Sequence, residues 1–214
     1  MIYKHNEQVL KLILDNKHRK VGIYMGAGTA SALLFYLLLH NYKRTTQFVL
    51  FVHHEDSKQQ QRVENILKQL NFDTTIHYRV NNTGLPFNKF VQQCIDQGES
   101  VDVIYTGMHK QSNEYRHAIA DKYGNVVNRY DDKESKRQKI KSIRTIAEDV
   151  PTNIKCVHPF ADYDKAFIAA IYGQLKLRLL YRYTHSCDDN YEAPCDVGSC
   201  NKCMERKWAF EAWQ

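Results

Sequence analysis

The stretch Val21-Gly-Ile-Tyr-Met-Gly-Ala-Gly-Thr-Ala-Ser31 decides the fold of this chain. Its first five residues predict a short buried strand. The small residues 26–31 suit a tight loop, and the apolar run from Ala32 to about Tyr42 predicts a helix with Ser31 as its N-cap. A strand, a small-residue loop and a helix in this order are typical of one unit of a parallel, helix-covered sheet.

The same alternation of strand and helix patterns continues along the chain. Further strands are predicted over Gln47–His53, Thr75–Val80 and Val101–Thr106, and further helices over Glu55–Leu70 and Pro86–Gln97. This pattern predicts an α/β fold with a doubly wound parallel sheet. Such sheets bind ligands beyond the carboxyl ends of their strands, so a ligand is expected near residues 26–31, 53–57, 81–85 and 107–114.

The remaining segments carry weaker patterns. Residues 6–15 place Val9, Leu12 and Ile13 on one face of a predicted helix. Ile154–Val157 predicts a fifth strand, and a long helix is expected from about Tyr163 to Tyr181. The basic helical stretch 134–148 is interpreted as a solvated face, with nucleic-acid binding as the alternative. Two cysteines, Cys94 and Cys156, fall within a helix and a strand pattern and are interpreted as core residues.

Four of the six cysteines lie close together, at Cys187, Cys195, Cys200 and Cys203. Four thiolates in so short a run can close a tetrahedron around one zinc ion. Two disulfides or unpaired thiols are the alternatives, but the C-x2-C pair and the lack of a visible secretion signal favour zinc. A site with four cysteine ligands has no open position, so its zinc would stabilise the fold. We therefore expect an α/β domain over residues 1–183 and a zinc-binding segment over residues 184–214 packed on it.

Bulk composition limits the class of protein. Hydrophobic residues at 43% and charged residues at 25% are ordinary for a globular protein. The longest apolar run, Ala32–Leu39, is far short of the roughly 20 residues of a membrane span. The first residues are polar, unlike a signal peptide, so a cytoplasmic location is expected. The net charge of +6 suits a phosphate-bearing ligand or nucleic acid.

The loop and the cysteines together resemble the pyrophosphate-loop family, which has the adenine nucleotide alpha-hydrolase-like (HUP) fold. Residues 26–31 lie where that family carries Ser-Gly-Gly-x-Asp-Ser. The C-terminal tail resembles that of one branch, 7-cyano-7-deazaguanine synthase. The matching positions are Thr184-x-Ser-Cys187, Pro194-Cys195, Cys200-x-x-Cys203, Glu205-Arg206-x-x-Ala209-Phe210, Pro159, Lys165 and the Gly107 turn.

The resemblance implies ATP-dependent conversion of 7-carboxy-7-deazaguanine to its nitrile with ammonia. Such enzymes adenylate a carboxyl oxygen, expel pyrophosphate and let nitrogen attack, and a second ATP-driven step dehydrates the amide. The zinc knuckle would hold the C-terminal wall of the pocket for the 7-deazaguanine-type substrate. A homodimer and a nucleic-acid partner remain open, and no catalytic residue can be named. The pyrophosphate of magnesium-bound ATP would be held by Gly26, Ala27, Gly28, Thr29, Ala30 and Ser31.

The loop departs from the family pattern at three positions. Gly26 replaces the first serine, Ala27 replaces a glycine that would accept positive φ, and Ala30 replaces the aspartate. Magnesium requires oxygen ligands, which methyl groups do not supply. The carboxylates that could compensate are Glu55, Asp56 and Glu114.

Two interpretations of function therefore stand. The first is an ATP-dependent synthase of carbon–nitrogen bonds, or a related amidating or thiolating enzyme. The second is a degenerate relative that binds a nucleotide, a nucleic acid or a protein as a subunit. A zinc-stabilised α/β protein that resembles the family only by convergence is a third.

Overall fold

The computed structural model describes residues 2–15, 17–42, 45–53, 57–70, 77–110, 115, 154–186 and 201–211. The strands are β1 (Ile2–His5), β2 (Gln8–Lys11), β3 (Lys20–Met25), β4 (Gln47–His53), β5 (His77–Asn81), β6 (Val103–Thr106) and β7 (Lys155–Val157). The helices are α1 (Thr29–Asn41), α2 (Ser57–Gln69), α3 (Phe87–Asp96), α4 (Lys165–Gln174), α5 (Arg178–Tyr183) and α6 (Asn201–Glu211).

A five-stranded sheet forms the centre of the fold, in the order β5-β4-β3-β6-β7. All of its neighbouring strands are parallel. β3 lies in the middle, where Val21 is paired with Phe48 of β4 on one side and with Val103 of β6 on the other. The predicted parallel sheet is therefore confirmed, with residues 26–31 following the carboxyl end of its central strand.

Helices cover both faces of this sheet. One core cluster joins alternate residues of β3 and β4 to α1, α2 and α4, and a second joins Val49, Phe51 and Ile104 to α3. Because β4 is buried on both faces, its sequence is a continuous apolar run rather than an alternating one. The chain thus passes outward from β3 to β5 over one face and returns to β6 over the other, which makes the sheet doubly wound.

The N-terminal segment differs from the predicted helix over residues 6–15. β1 and β2 form an antiparallel hairpin whose turn places Asn6 at φ 52°, a backbone conformation that asparagine tolerates. The paired Tyr3 and Leu10 are buried, whereas Val9 and Ile13 are 46% and 72% exposed. The helical spacing of Val9, Leu12 and Ile13 was misleading, because the buried set follows the two-residue period of a strand.

The expected long helix from Tyr163 to Tyr181 is in fact two helices, α4 and α5. Lys176, between them, has φ 54°, which no helix interior accommodates. The Leu177 amide bonds back to the carbonyl of Tyr172, 2.9 Å away, and closes the end of α4. The basic helical stretch predicted over residues 134–148 lies outside the described residues. The predicted strands and helices that fall within the described residues are present, with bounds that differ by a few residues. Within the described ranges, no helix has both the length and the apolar character needed to cross a membrane.

Candidate nucleotide-binding site

The loop of residues 26–31 lies at the point in the sheet where the chain reverses its direction of winding. β3 and β6 are neighbours there, and their following loops touch. A Cβ placed on Gly107, just after β6, would approach the backbone nitrogen of Ser31 to 2.7 Å. Only glycine allows the two loops to pack backbone against backbone. The Gly107 turn noted in the sequence therefore closes one side of the loop.

The start of α1 leaves backbone donors without a side-chain cap. The helix begins at Thr29 with Gly28 as its N-cap, and no side chain bonds to the capping position. The prediction that Ser31 caps this helix is therefore wrong, because Ser31 lies inside the first turn. No acidic residue occupies that turn either. Uncapped N–H groups at a helix start attract anions, phosphate among them.

Ala27 and Ala30 point into the protein core. They are 7% and 6% exposed and pack with the cluster that includes α1 and α4. Ala27 does not have positive φ, so alanine is not strained at that position. A Cβ on Gly26 would meet only the Ser31 hydroxyl, at 3.8 Å, so a serine side chain would fit there. The loop's departures from the family pattern are thus compatible with its conformation.

A short strip, Thr184–Ser186, follows α5 in the chain and lies against the loop. The amide of His185 donates to the carbonyl of Ala27, 2.6 Å away. The buried Tyr172 hydroxyl of α4 donates to the carbonyl of Thr29 at 2.9 Å. The loop is therefore held from three directions, by Gly107, by α4 and by this strip.

The residues of the C-terminal motif form a clamp rather than a pocket lining. Lys165 of α4 and Glu205 of α6 form an ion pair at 2.9 Å, with both side chains less than 10% exposed. Arg206 donates to the carbonyls of Thr184 and Tyr181, and its guanidinium lies 4.3 Å from the Tyr181 ring centroid. These contacts fix α6 to α4 and to the strip that holds the loop.

Apolar packing completes this clamp. Phe210 is fully buried and stacks on Tyr181, with a centroid distance of 4.2 Å. It also meets the Tyr172 ring edge to face at 5.6 Å. Because Tyr172 also bonds to Thr29, the end of α6 and the glycine loop share a packing partner.

The environment of the loop is positive. Burial, together with the nearby charges of Arg62 and Arg206, lowers the pKa of His185 to about 4. His185 is therefore neutral at neutral pH. Burial is the largest cause and disfavours any unpaired charge, whereas Arg62 and Arg206 add positive charge near this part of the loop.

Sequence reasoning missed His158, which directly follows the predicted fifth strand. Its Nδ1 lies 2.5 Å from the hydroxyl of Thr106, and its Nε2 is buried without a hydrogen-bond partner among the described residues. Burial lowers the pKa of this imidazole. His158 follows β7 and Thr106 ends β6, so both lie at the same edge of the sheet as the loop.

Three predicted zinc ligands, Cys187, Cys195 and Cys200, lie outside the described residues, as do Glu55, Asp56 and Glu114. Cys203 lies in the first turn of α6 and is partly buried. A helix start favours the thiolate, the form in which cysteine binds a metal. The described part of the chain contains no group of three or more His, Cys, Asp or Glu residues arranged to bind a metal.

Cys94 and Cys156 lie where the sequence predicted, in α3 and β7, and both pack with the second core cluster. Burial raises the pKa of both thiols. Neither is poised to act as a nucleophile, because that requires the thiolate.

Comparisons with known proteins support the resemblance at the C-terminal end. The family model described as "Queuosine biosynthesis protein QueC" matches residues 127–214. No curated protein matches the chain. One similar solved structure is the U34-tRNA thiolase NcsA from Methanococcus maripaludis with its [4Fe-4S] cluster. It has 13% identity and a TM-score of 0.48, over 91% of this chain and 66% of that one.

A second similar structure is the NH3-dependent NAD synthetase from Campylobacter jejuni subsp. jejuni NCTC 11168, in complex with the nitrate ion. It has 11% identity and a TM-score of 0.33, over 80% of this chain and 71% of that one. Neither likeness is close enough to assign an activity. The family model and the clamp residues agree, so the chain is, over its C-terminal part, similar to the 7-cyano-7-deazaguanine synthase family, as the tail predicted.

Proposed function

We propose that this protein is an ATP-dependent enzyme that forms carbon–nitrogen bonds, with a carboxylated 7-deazaguanine as substrate and ammonia as the nitrogen source. The observation that carries the proposal is the match of the C-terminal part to the QueC family. The uncapped start of α1, at the carboxyl end of the central strand, supplies a place for the phosphates of ATP.

The residues of the loop have separate tasks in this proposal. The N–H groups at the start of α1, with the Ser31 hydroxyl, hold the departing pyrophosphate while the substrate carboxylate attacks the α-phosphorus. Ammonia then attacks the acyl carbon and AMP leaves. A second ATP activates the amide oxygen for loss, which gives the nitrile. Gly107 and Tyr172 keep the loop backbone in place through both steps.

Magnesium needs a carboxylate that residues 26–31 do not provide. The methyl groups of Ala27 and Ala30 face the core. Glu55 and Asp56 come shortly after β4 in the sequence, and Glu114 comes shortly after β6, so all three follow strands that end at this edge. We propose that one of them supplies the missing metal ligand.

We further propose that residues 184–214 are a zinc-binding segment packed on the α/β domain of residues 1–183. Its ligands would be Cys187, Cys195, Cys200 and Cys203. Zinc there would fix the chain between the strip at 184–186 and the start of α6. The support is the cysteine spacing together with the position of Cys203 at a helix start.

The decisive test is incubation of purified protein with magnesium, ATP, ammonia and 7-carboxy-7-deazaguanine, followed by measurement of pyrophosphate and nitrile. The expected result is formation of both. Alanine variants of Glu55, Asp56 and Glu114 then identify the compensating acid, whose loss abolishes turnover. Wild-type protein that binds ATP but releases no pyrophosphate would contradict the proposed synthase activity.

The alternative, a binding subunit, is favoured by the burial of Ala27 and Ala30. The variant Gly26→Ser/Ala27→Gly/Ala30→Asp separates the two functions. If the loop has lost its metal ligand, this variant binds magnesium-ATP roughly ten- to a hundred-fold more tightly than wild type. If another acid already serves, the gain is absent. Because the new carboxylate would be buried when the ion is absent, binding must be measured on protein shown to be folded.

A further inference from the structure

His158 lies at the carboxyl edge of the sheet, yet the proposed reaction gives it no role. It directly follows β7, and its ring lies against Thr106 at the end of β6. Thr106 is fully buried. The two residues therefore form a polar pair inside the carboxyl edge of the sheet, one residue away from the Gly107 turn that touches the glycine loop.

The hydrogen-bond inventory of this pair fixes which ring nitrogen carries the proton. The Thr106 hydroxyl lies 2.5 Å from Nδ1, and within the described residues it has no other partner. If Nδ1–H donated to the hydroxyl instead, both the hydroxyl hydrogen and Nε2 would be left without a partner among the described residues, so we take the hydroxyl as the donor. An Nδ1 that accepts has no hydrogen of its own, so in a neutral ring the hydrogen is on Nε2. Burial lowers the pKa of His158 and keeps the ring neutral.

The Nε2–H group is consequently a buried donor with nothing to donate to. Its atom has no hydrogen-bond partner in the part of the chain that the structure describes. A buried donor left unpaired is unfavourable, and in a native structure such a group requires an explanation, of which a partner supplied by a ligand is one. The start of α1, which follows the central strand at the same edge of the sheet, also presents backbone donors. An acceptor oxygen bound at this edge could therefore accept from the start of α1 and from His158 Nε2.

We infer that His158 is a binding residue of the carboxyl-edge site, whose Nε2–H donates to an acceptor oxygen of the bound substrate, either a phosphate of ATP or the carboxylate of the deazapurine. Thr106 is the positioning residue that fixes the tautomer. The inference rests on the proposed function, because ATP and the carboxylated deazapurine are the substrates proposed there. It adds a substrate contact just after β7, at the same edge of the sheet as the glycine loop.

Two conservative variants separate the two ring nitrogens. The amide of His158→Asn occupies the place of Nδ1, so it retains an acceptor for Thr106 and loses the outer donor. The amide nitrogen of His158→Gln reaches the place of Nε2, so it retains the outer donor and loses the acceptor. Isothermal titration with magnesium-ATP and, separately, with 7-carboxy-7-deazaguanine shows which substrate supplies the oxygen.

His158→Asn is expected to weaken binding of one of the two probes roughly tenfold and leave the other unchanged, while His158→Gln stays within about threefold of wild type. A purely structural role through Thr106 would reverse this order and would overturn the inference. Equal binding by both variants would also overturn it. Wild-type protein that binds neither probe would overturn the proposed function together with this inference. If wild type binds the probes and His158→Asn binds them with the same affinity, the inference alone is overturned.

Nitrogen-15 NMR of the histidine rings provides a check that needs no ligand. The expected spectrum shows His158 neutral at pH 7 and protonated at Nε2, and Thr106→Val is expected to shift it toward a mixture of the two tautomers. A wild-type ring protonated at Nδ1, or charged at pH 7, would overturn the inference even if both probes bind.

Discussion

The glycine loop and the C-terminal clamp lie side by side, yet they have opposite character. The loop places methyl groups, Ala27 and Ala30, in the core where the family has glycine and aspartate. The clamp instead places charges in the interior, and it pairs Lys165 with Glu205. A buried ion pair is hard to alter one residue at a time, because either half alone is strongly unfavourable. A buried alanine is under no such constraint. The contact between α6 and α4 is thus expected to tolerate single substitutions less well than the positions of Ala27 and Ala30.

Breaking the clamp is expected to have the largest effect. Glu205→Ala leaves the Lys165 ammonium buried and unpaired, and should lower the free energy of unfolding by about 3–5 kcal/mol. Urea denaturation measures the change. Glu211→Ala, on the exposed end of the same helix, is the matched control and should be within about 0.5 kcal/mol of wild type.

The double variant Lys165→Met/Glu205→Leu sharpens this test. Replacing both charges by apolar residues of similar size removes the unpaired ion, so most of the lost stability should return. If the double variant is as unstable as Glu205→Ala, the packing of α6 matters rather than its charge, and the comparison above would not hold.

A change at the contact between the two loops should have the next largest effect. In Gly107→Ala the added Cβ would press on the backbone of Ala30 and Ser31, which cannot move aside as a flexible side chain would. We expect a loss of about 2–3 kcal/mol in unfolding free energy, measured by thermal or urea denaturation. Gly26→Ala is the control, since its Cβ would meet only the Ser31 hydroxyl at an ordinary contact distance. Equal stability of the two variants would show that the loops do not pack as described.

Acid should weaken the strip that lies against the loop. The pKa of His185 is lowered to about 4 in the folded protein, while the unfolded chain has about 6.5. Between these values the unfolded state binds more protons, so stability falls as pH falls from about 6.5 to 4. Allowing for solvent screening, we expect His185 to account for about 1–2 kcal/mol of this loss.

The variant His185→Gln tests that assignment. It retains the backbone bond to Ala27 and removes the titrating group, so its stability should change less between pH 6.5 and 4 than that of wild type. Denaturation midpoints at several pH values measure the difference. His158, whose pKa is also lowered, retains its share in both proteins. Identical profiles of stability against pH for wild type and His185→Gln would show that another group causes the acid sensitivity.

The sequence predicted the central features of the fold because they depend on local patterns. The apolar run of β4 and the small residues after β3 led directly to the parallel sheet and to the position of the loop. The hairpin was missed because Val9, Leu12 and Ile13 have helical spacing. Tyr3, which pairs with Leu10, lies outside the segment 6–15 that carries this spacing. The break at Lys176 has no glycine or proline to mark it, so its positive φ depends on tertiary packing.

The site was predictable only in outline. The loop residues could be named from the sequence, but the burial of Ala27 and Ala30 depends on the packing of α1 against α4. The motif residues Lys165, Glu205 and Arg206 were recognised from a resemblance, yet that resemblance did not indicate that they bond to one another or to the strip. His158 and Tyr172 lie more than a hundred residues after the loop in the sequence, and no local pattern connects them to it.

The central claim, that the start of α1 binds the phosphates of ATP, is tested most directly by amide NMR or hydrogen exchange during a titration with magnesium-ATP. We predict that the backbone amides of Gly28, Thr29, Ala30 and Ser31 shift and exchange more slowly with increasing nucleotide, together with the His158 ring. Amides of the hairpin at residues 2–11, which forms a separate two-stranded sheet, provide the reference and should not change. Saturation of the protein with nucleotide while the amides of residues 28–31 stay unchanged would contradict the account.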